Sequence, residues 1–522
     1  MTAKKVIITE KIPTSSVEIL RAAGLKVEVC LNMSRSELLY AVRDAHAIIV
    51  RSATAVDSEV IAAAKNLVVV ARAGVGVDNI DVECATKKGI LVVNAPESNI
   101  VSAAEHTMGL MLSVVRNIPQ AHAALKESRW ERDAWEGVEM SGKTLGILGM
   151  GRIGSLVAKR AKAFDMNVVV YDPHISNDAI HILGASSVNL EELAARADII
   201  TIHLPKNKDT LNMLNSTFMG KMKPSAYIIN VSRGGIVNEE DLYDAIVKGK
   251  IAGAALDVFA KEPSTSSPLY ELSNIIVTPH LGASTYEAQI RAGNTVSEMV
   301  QLALKGDLVP CAVNVDSGDI DEHSRPFLYL AERIGFIFAS LFKEIPTSLQ
   351  VSLTGEIGKR DSTPATRNAL KGALTAWSGE PVSIVNCQAM AESIGIDVKN
   401  FSSIETTGND YINLVTVASG EHTLSATLVG ANRQARVVSI DGHAVDIPPA
   451  NNMLVVKNDD RPGAIGTVTS ILGDANINID NMAVNSIPGG DALMCIVTST
   501  KVPENLLESI RMLAGIKYAL AV

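Results

Sequence analysis

Aromatic residues are scarce in this chain: they make up 4% of 522 residues, against 47% hydrophobic residues overall. Stacking on aromatic rings is therefore not the expected mode of recognition. The apolar content is mostly Ala, Val and Ile, as in α/β proteins. Positive charge is also short, with 47 Lys and Arg against 57 Asp and Glu, a net charge of −10. This argues against nucleic acid or an anionic membrane as partner, so an anionic ligand must be met by a local basic pocket. No apolar run approaches the roughly 18 residues of a membrane-spanning helix. The opening MTAKKVIITEKIP lacks the apolar core of a signal peptide, and the expected location is the cytoplasm. The five cysteines, Cys30, Cys84, Cys311, Cys387 and Cys495, are odd in number and scattered without CxxC or Cys/His spacing. Reduced thiols, no disulfide framework and no metal site are expected.

Length points to three or four folded units, at roughly 150 residues each. Over the first 95 residues the β-branched runs KKVIIT, LKVEVC, AHAIIVR, LVVVAR and ILVVN alternate with amphipathic stretches such as SATAVDSEVIAAAKN. That alternation predicts βα units and a parallel sheet. A long helical pattern follows, SAAEHTMGLMLSVVRNIPQAHAALKESRWE, with a break expected at Pro119. From Gly142 a second block runs through KTLGIL, MNVVVYDP, DIITIHLP, AYIINVSRGG, IAGAALDVF and NIIVTPHLG. Short apolar runs that end in turns are the mark of buried parallel strands. The helical segment STYEAQIRAGNTVSEMVQLALKG suits a return to the first block, giving two lobes with a cleft between them.

Farther on, VDSGDIDEHSRP reads as a linker, and residues 311–450 mix helix and strand patterns without a chemical motif. The last 72 residues order as strand NMLVVKN, turn DRPG, helix AIGTVTSILGDA, strand NINIDNMAV, hairpin PGG, strand ALMCIVTS, helix PENLLESIRML and strand YALAV. That is a compact βαββαβ module.

Gly149, Gly151 and Gly154 form GMGRIG between strand KTLGIL and helix RIGSLVAKRAKAF. Glycines at this spacing permit a tight turn, let the backbone approach a pyrophosphate and let helix and strand pack closely. The helix N-terminus adds N–H groups and a positive dipole. The next strand, MNVVVYD, ends at Asp172, 18 residues after Gly154. A carboxylate there accepts from ribose hydroxyls and repels a 2′-phosphate, so NAD is preferred to NADP.

Ligands of open α/β sheets sit at the carboxyl ends of strands, which draws notice to Arg233 after AYIINVS, Glu262 after GAALDVF and His280 at the end of NIIVTPH. Hydride transfer from a 2-hydroxy acid needs an imidazole for the hydroxyl proton and a guanidinium fork for the carboxylate. A carboxylate beside the imidazole would orient it. Arg51 and Arg72 also end strands, in AIIVRSAT and VVVARAGVGVDN, and two arginines at one sheet edge suit a phosphate.

The segments GMGRIG, NVSRGGIVNEEDL, GAALDVFAKEP and TPHLGAST together resemble the D-isomer-specific 2-hydroxyacid dehydrogenases. The resemblance is densest over residues 1 to about 310, and it is nearest to members acting on 3-phosphoglycerate. It implies Arg233 for carboxylate binding, Glu262 for histidine orientation and His280 as acid/base. For NAD it implies Gly149, Gly151, Arg152, Ile153, Gly154, Asp172, Val231, Ser232, Arg233, Asp257, His280, Gly282, Ala283 and Val75, with Asp257 near the nicotinamide amide. Many relatives have Thr or Ile at the position of Val75. For the substrate it implies Arg51, Ser52, Arg72, Gly74, Asn79, Arg132 and Arg233, with Arg51, Arg72 and Arg132 on the phosphate.

The fold so implied is α/β and two-lobed. A flavodoxin-like substrate lobe comprises residues 1–97 plus 283–310, and a Rossmann-type NAD lobe spans 98–282. An α+β intervening domain (311–450) follows, then a βαββαβ domain (451–522) that resembles an ACT domain, a small-molecule sensor. The whole order resembles the long, tetrameric, serine-regulated form of these enzymes. It implies NAD-dependent oxidation of 3-phospho-D-glycerate to 3-phosphohydroxypyruvate, the first step of serine biosynthesis. Asn458, Asp460 and Asn478 fall where relatives bind an L-serine effector, although Asn458 stands where some have tyrosine. Two other readings stand beside it: a dehydrogenase of an unphosphorylated 2-hydroxy acid such as hydroxypyruvate or glyoxylate, and a non-catalytic NAD-sensing interaction protein.

Overall fold

The computed structural model describes residues 3–315, 323–380, 382–405, 411–486 and 490–522. The linker expected over 315–326 and the PGG hairpin at 488–490 therefore lie mostly outside the described residues.

The β-branched runs near the start form β1 (Lys5–Ile8), β2 (Lys26–Val29), β3 (Ala47–Val50), β4 (Val69–Arg72) and β5 (Leu91–Val93). They pair in parallel in the order β2-β1-β3-β4-β5, the flavodoxin-like arrangement. Strand order reverses between β1 and β3, so the crevice opens beyond their carboxyl ends. Glu10 and Arg51 lie there.

The second block gives β6 (Thr144–Leu148), β7 (Asn167–Tyr171), β8 (Ser186–Ser187), β9 (Ile199–Ile202), β10 (Tyr227–Asn230), β11 (Gly253–Leu256) and β12 (Ile275–Val277). All are parallel, in the order β12-β11-β10-β9-β6-β7-β8, and the reversal falls between β6 and β9. This is a Rossmann-type sheet. Strand β8 was not expected, since two residues are too few to show an apolar period. Ile147, Leu148, Ile200, Ile202, Ile228 and Ile229 are fully buried between the helical layers. Burying each such side chain contributes about 1.5–3 kcal/mol.

Two passages join the lobes. The first enters the helix Ile100–Val115, here called the hinge helix, and the second enters the helix Tyr286–Lys305. The second helix returns to the first lobe, where Ser297 Oγ donates to Ser16 O at 3.0 Å. The passages are bonded to each other: Ser102 Oγ lies 2.7 Å from Thr285 Oγ1, and Arg291 Nε donates to Ser98 O at 2.9 Å. The helical break falls at Asn117, with φ 50°, rather than at Pro119. Proline is accommodated in the first turn of the next helix, where its missing N–H has no intrahelical partner to lose. The chain also stays on the first lobe past residue 310, because Val92 N donates to Asn314 Oδ1 at 2.9 Å. A single side chain docking on a strand carries no sequence period.

Next, β13 (Ser348–Gly355), β14 (Asp397–Ser403), β15 (Asn413–Ser419), β16 (His422–Val429), β17 (Gln434–Ile440) and β18 (His443–Ile447) form a sheet ordered β14-β13-β15-β16-β17-β18, packed under the helices Arg325–Leu341 and Thr363–Ser378. The final unit has β19 (Met453–Asn458), β20 (Ile479–Ser486), β21 (Ala492–Thr498) and β22 (Ile516–Ala521), ordered β20-β21-β19-β22 and antiparallel. One face is covered by its own helices, with Leu454, Val456, Val468, Leu472 and Ile496 in one cluster. The other face, carrying Met453, Val455, Leu493 and Cys495, belongs to the core of the preceding domain. No helix among the described residues is long and apolar enough to cross a membrane.

Candidate active site

At the end of β6, Gly149 takes φ 93°, and a Cβ there would lie 2.7 Å from His203 O, at the end of the adjoining β9. A Cβ on Gly154 would fall on the carbonyl oxygen of Gly149. Gly151 faces open space and precedes the helix Arg152–Ala163, whose N-terminus has no side-chain cap. The amides of its first turn, beginning with Arg152 and Ile153, therefore lack intrahelical partners. Asp172 leans on this loop, its Oδ2 accepting Met150 N at 2.8 Å and its Oδ1 accepting His174 N at 2.9 Å. Each oxygen keeps further acceptor capacity.

After β10, buried Asn230 shapes the turn through Val231, Ser232 and Arg233. Its Oδ1 accepts from Ser232 N and Oγ at 3.1 and 2.9 Å, and its Nδ2 donates to Arg233 O at 3.0 Å. The Arg233 side chain crosses to the first lobe, where a Cβ on Gly76 would lie 2.5 Å from Arg233 Nη2 and Asp78 Oδ2 stands 3.8 Å from Arg233 Nε.

Past β12, His280 adopts φ 56° and its Nδ1 lies 2.7 Å from Glu262 Oε2, while Glu262 Oε1 accepts Phe259 N at 3.0 Å. A carboxylate only accepts, so Nδ1 carries the hydrogen and Nε2 is left as a proton acceptor beside the cleft. Asp257, 0% exposed, holds the backbone of this loop. His280 N donates to its main-chain O at 2.9 Å, Leu281 N to Oδ1 at 2.7 Å and Gly282 N to Oδ2 at 2.8 Å. Burial works to raise the Asp257 carboxyl, but the bonds from His106, Thr278, Leu281 and Gly282 outweigh it and hold it below the usual carboxylate range.

On the first lobe Glu10 gathers the amides of Arg51, Ala53 and Thr54 at 2.9, 3.2 and 3.0 Å, placing exposed Ser52 in the same loop. Arg72 donates to Arg51 O at 2.8 Å and to Gly76 O. Burial lowers the Arg72 guanidinium, and the like charges of Arg233 and Arg51 add to that. Asn79 donates to Arg51 O and Thr54 O, and its buried Oδ1 has no partner among the described residues. Gly74 O accepts Ala95 N at 2.8 Å. Arg51, Arg72 and Arg233 thus approach one another from two lobes.

Arg132 does not join them within the chain. It sits exposed in the turn Arg132–Trp135, and Val138 N anchors this segment to Val115 O, at the far end of the hinge helix. Sixteen residues at about 1.5 Å each put that end about 24 Å from the cleft.

The cleft has a volume of about 360 Å³ and brings Val75 and Asp78 together with Ile153, Val231, Arg233, His280, Gly282 and Ala283. It also includes Asn99, His203 and Lys206, which sequence reasoning did not single out. The last two follow β9, so the strand-end rule applied to DIITIHLPK would have found them. Burial pushes the His203 imidazole down to about 4, which keeps it neutral.

With this geometry in view, three family models match the chain. Residues 108–282 match the D-isomer specific 2-hydroxyacid dehydrogenase NAD binding domain, 323–441 the D-3-phosphoglycerate dehydrogenase intervening domain and 452–515 the ACT domain. The chain is 42% identical over 516 residues to D-3-phosphoglycerate dehydrogenase of Mycobacterium tuberculosis, covering 98% of this chain and 97% of the other. The chain belongs to the D-3-phosphoglycerate dehydrogenase family. A member from Methanocaldococcus jannaschii is 40% identical over 519 residues, 98% of each chain. The crystal structure of D-lactate dehydrogenase from Aquifex aeolicus with NAD and lactic acid is 28% identical, with a TM-score of 0.53, over 59% of this chain and 99% of that one. As a D-3-phosphoglycerate dehydrogenase family member the chain is an oxidoreductase with NAD as cofactor. The open Gly151, the uncapped helix and the braced Asp172 fit a dinucleotide.

In the ACT domain Asn458 is 2% exposed and its Oδ1 accepts Asp460 N at 3.0 Å, so it braces the turn from within. Asp460 has φ 56°, and Gly463 leads into an uncapped helix, Ala464–Asp474. Asn478 donates to Asp480 at 2.9 Å.

Proposed function

We propose that the chain oxidises 3-phospho-D-glycerate to 3-phosphohydroxypyruvate with NAD, in the cytoplasm, as the entry reaction of serine biosynthesis. The observation that carries this reading is the approach of Arg51 and Arg72 to Arg233, which lines the cleft together with His280, itself paired with Glu262. An unphosphorylated acid has no need of so many cations. Arg233 forks the substrate carboxylate, and Arg51, backed by Arg72, receives the phosphate. His280 Nε2 takes the hydroxyl proton, and Glu262 holds the ring and balances the imidazolium that forms. NAD, when bound, supplies the hydride acceptor. Gly151 and the first turn of the following helix would hold its pyrophosphate, and Asp172 its ribose.

Under this reading residues 1–97 and 283–310 bind substrate and 98–282 bind NAD, while 451–522 sense L-serine through Asp460 and Asn478 in a homotetramer. Following NADH with 3-phosphoglycerate or 3-phosphohydroxypyruvate, with and without L-serine, tests it. Turnover of both phosphorylated acids, reduced by serine, is expected. Turnover confined to an unphosphorylated acid would rule the substrate out.

A further inference from the structure

Among the described residues Asp257 is fully buried without a lysine or arginine bonded to it, and all but one of its donors come from the loop it holds. Thr278 Oγ1 donates to Oδ1 at 2.5 Å, and the amides of His280, Leu281 and Gly282 complete the local set. The exception is His106, on the second turn of the hinge helix. Its Nε2 lies 3.3 Å from Asp257 Oδ1 and 3.1 Å from Thr278 Oγ1.

The hydrogen assignments in this triangle follow from the chemistry. The carboxylate only accepts, and the Thr278 hydrogen points to it, so Nε2 must be the protonated nitrogen of His106. Its N–H faces the lone pairs of both Thr278 Oγ1 and Asp257 Oδ1. That leaves the threonine hydroxyl one orientation, toward the carboxylate. His106 is also the only group in the set able to carry a positive charge, and the only one anchored outside residues 257–282.

We propose that His106 is a positioning residue. Through Asp257 and Thr278 it ties the hinge helix to the loop carrying His280, and so sets the attitude of the acid/base imidazole toward the cleft. The proposal rests on the reading of His280 as the proton acceptor. Its requirement is specific: a hydrogen-bond donor at the place of Nε2, not merely a ring of that size.

Three variants separate these requirements. His106→Gln puts an amide N–H where Nε2 stands, His106→Asn puts one nearer Nδ1, and His106→Leu has no donor. For H106L and H106N, kcat is expected to fall about ten-fold, a loss typical of modest misplacement of a reacting group. The KM for the hydroxy acid should stay within about two-fold, because Arg51 and Arg233 are untouched. Removing a donor disfavours the ionised form of Asp257, so the acid limb of the kcat profile should move to higher pH. H106Q should restore both kcat and the limb. An H106L enzyme with wild-type kcat and an unmoved limb would overturn the proposal. So would an H106Q enzyme as slow as H106L, since ring bulk would then be what matters. His280→Ala, run in parallel, keeps the two readings apart: it should abolish turnover and leave NADH affinity nearly unchanged. Retained turnover there would remove the acid/base assignment itself, whatever the His106 series gives.

Discussion

Arg72 spends its hydrogen bonds on the carbonyls of Arg51 and Gly76, whereas the Arg51 guanidinium makes, among the described residues, one long contact of 3.4 Å, with Lys11 O. Two arginines that look alike as strand-end cations therefore differ in what their loss removes. Arg51→Ala takes away a charge placed beside Arg72 and little else. A charged hydrogen bond of about 1.5–3 kcal/mol corresponds to a rise of about ten-fold or more in KM for the phosphorylated substrate. The melting temperature should not move. Arg72→Ala should raise KM and also lower Tm, because two loops lose their shared donor. Steady-state kinetics and thermal unfolding of both variants check this, and an unchanged KM in R51A would remove Arg51 from the phosphate site. At this scale the sequence is informative about Arg51, Arg72, Arg233 and His280, because each follows an apolar run that has to be a strand. It is silent on Glu10 and Asp78, ordinary surface acids until the fold sets them against the arginines. Arg132 follows no strand, and its place in the chain depends on the length of the hinge helix.

Among the elements, the turn from β6 into the helix Arg152–Ala163 separates two uses of glycine. Gly154 has the Gly149 carbonyl where a side chain would go, while Gly151 has nothing. Gly154→Ala should therefore destabilise the fold, by about 1–3 kcal/mol as overpacking does, and lower Tm. Gly151→Ala should fold with wild-type Tm yet bind NADH at least about ten-fold more weakly, since its methyl occupies the pyrophosphate approach. Calorimetry and NADH titration distinguish them, and equal Tm losses would contradict the division. The motif's place between strand and helix was legible from apolar periodicity. The opposing partner was not: His203 O reaches Gly149 because β9 neighbours β6 across more than 40 residues, and no local pattern records that adjacency. Asn117, which breaks the helix before Pro119, shows the same limit, since a left-handed asparagine has only a weak sequence signature.

For the whole molecule, the two lobes and the C-terminal pair of domains behave as separate bodies of core. The 59% of this chain that matches the D-lactate dehydrogenase covers 99% of that chain, so the two lobes correspond to the whole of that protein. The intervening domain is not complete without the ACT sheet, because Met453, Val455, Leu493 and Cys495 fill its core. A chain ending at residue 315 should stay monodisperse and oxidise substrate without response to L-serine. One ending at residue 450 should expose that apolar face and aggregate. Size-exclusion chromatography of both is the check, and a monodisperse 450-residue chain would disprove the shared core. The continuous apolar runs of β19 and β21 announce burial on both faces, yet cannot say that the second cover comes from the preceding domain.

The bonds from Ser102 to Thr285 and from Arg291 to Ser98 join the two interlobe passages side by side. A lobe hung on a single strand could swivel about any direction, but two fastenings define one axle. An opening of the lobes about that axle would follow a single arc and bring Arg51 on one jaw back to the same register with Arg233 and His280 on the other.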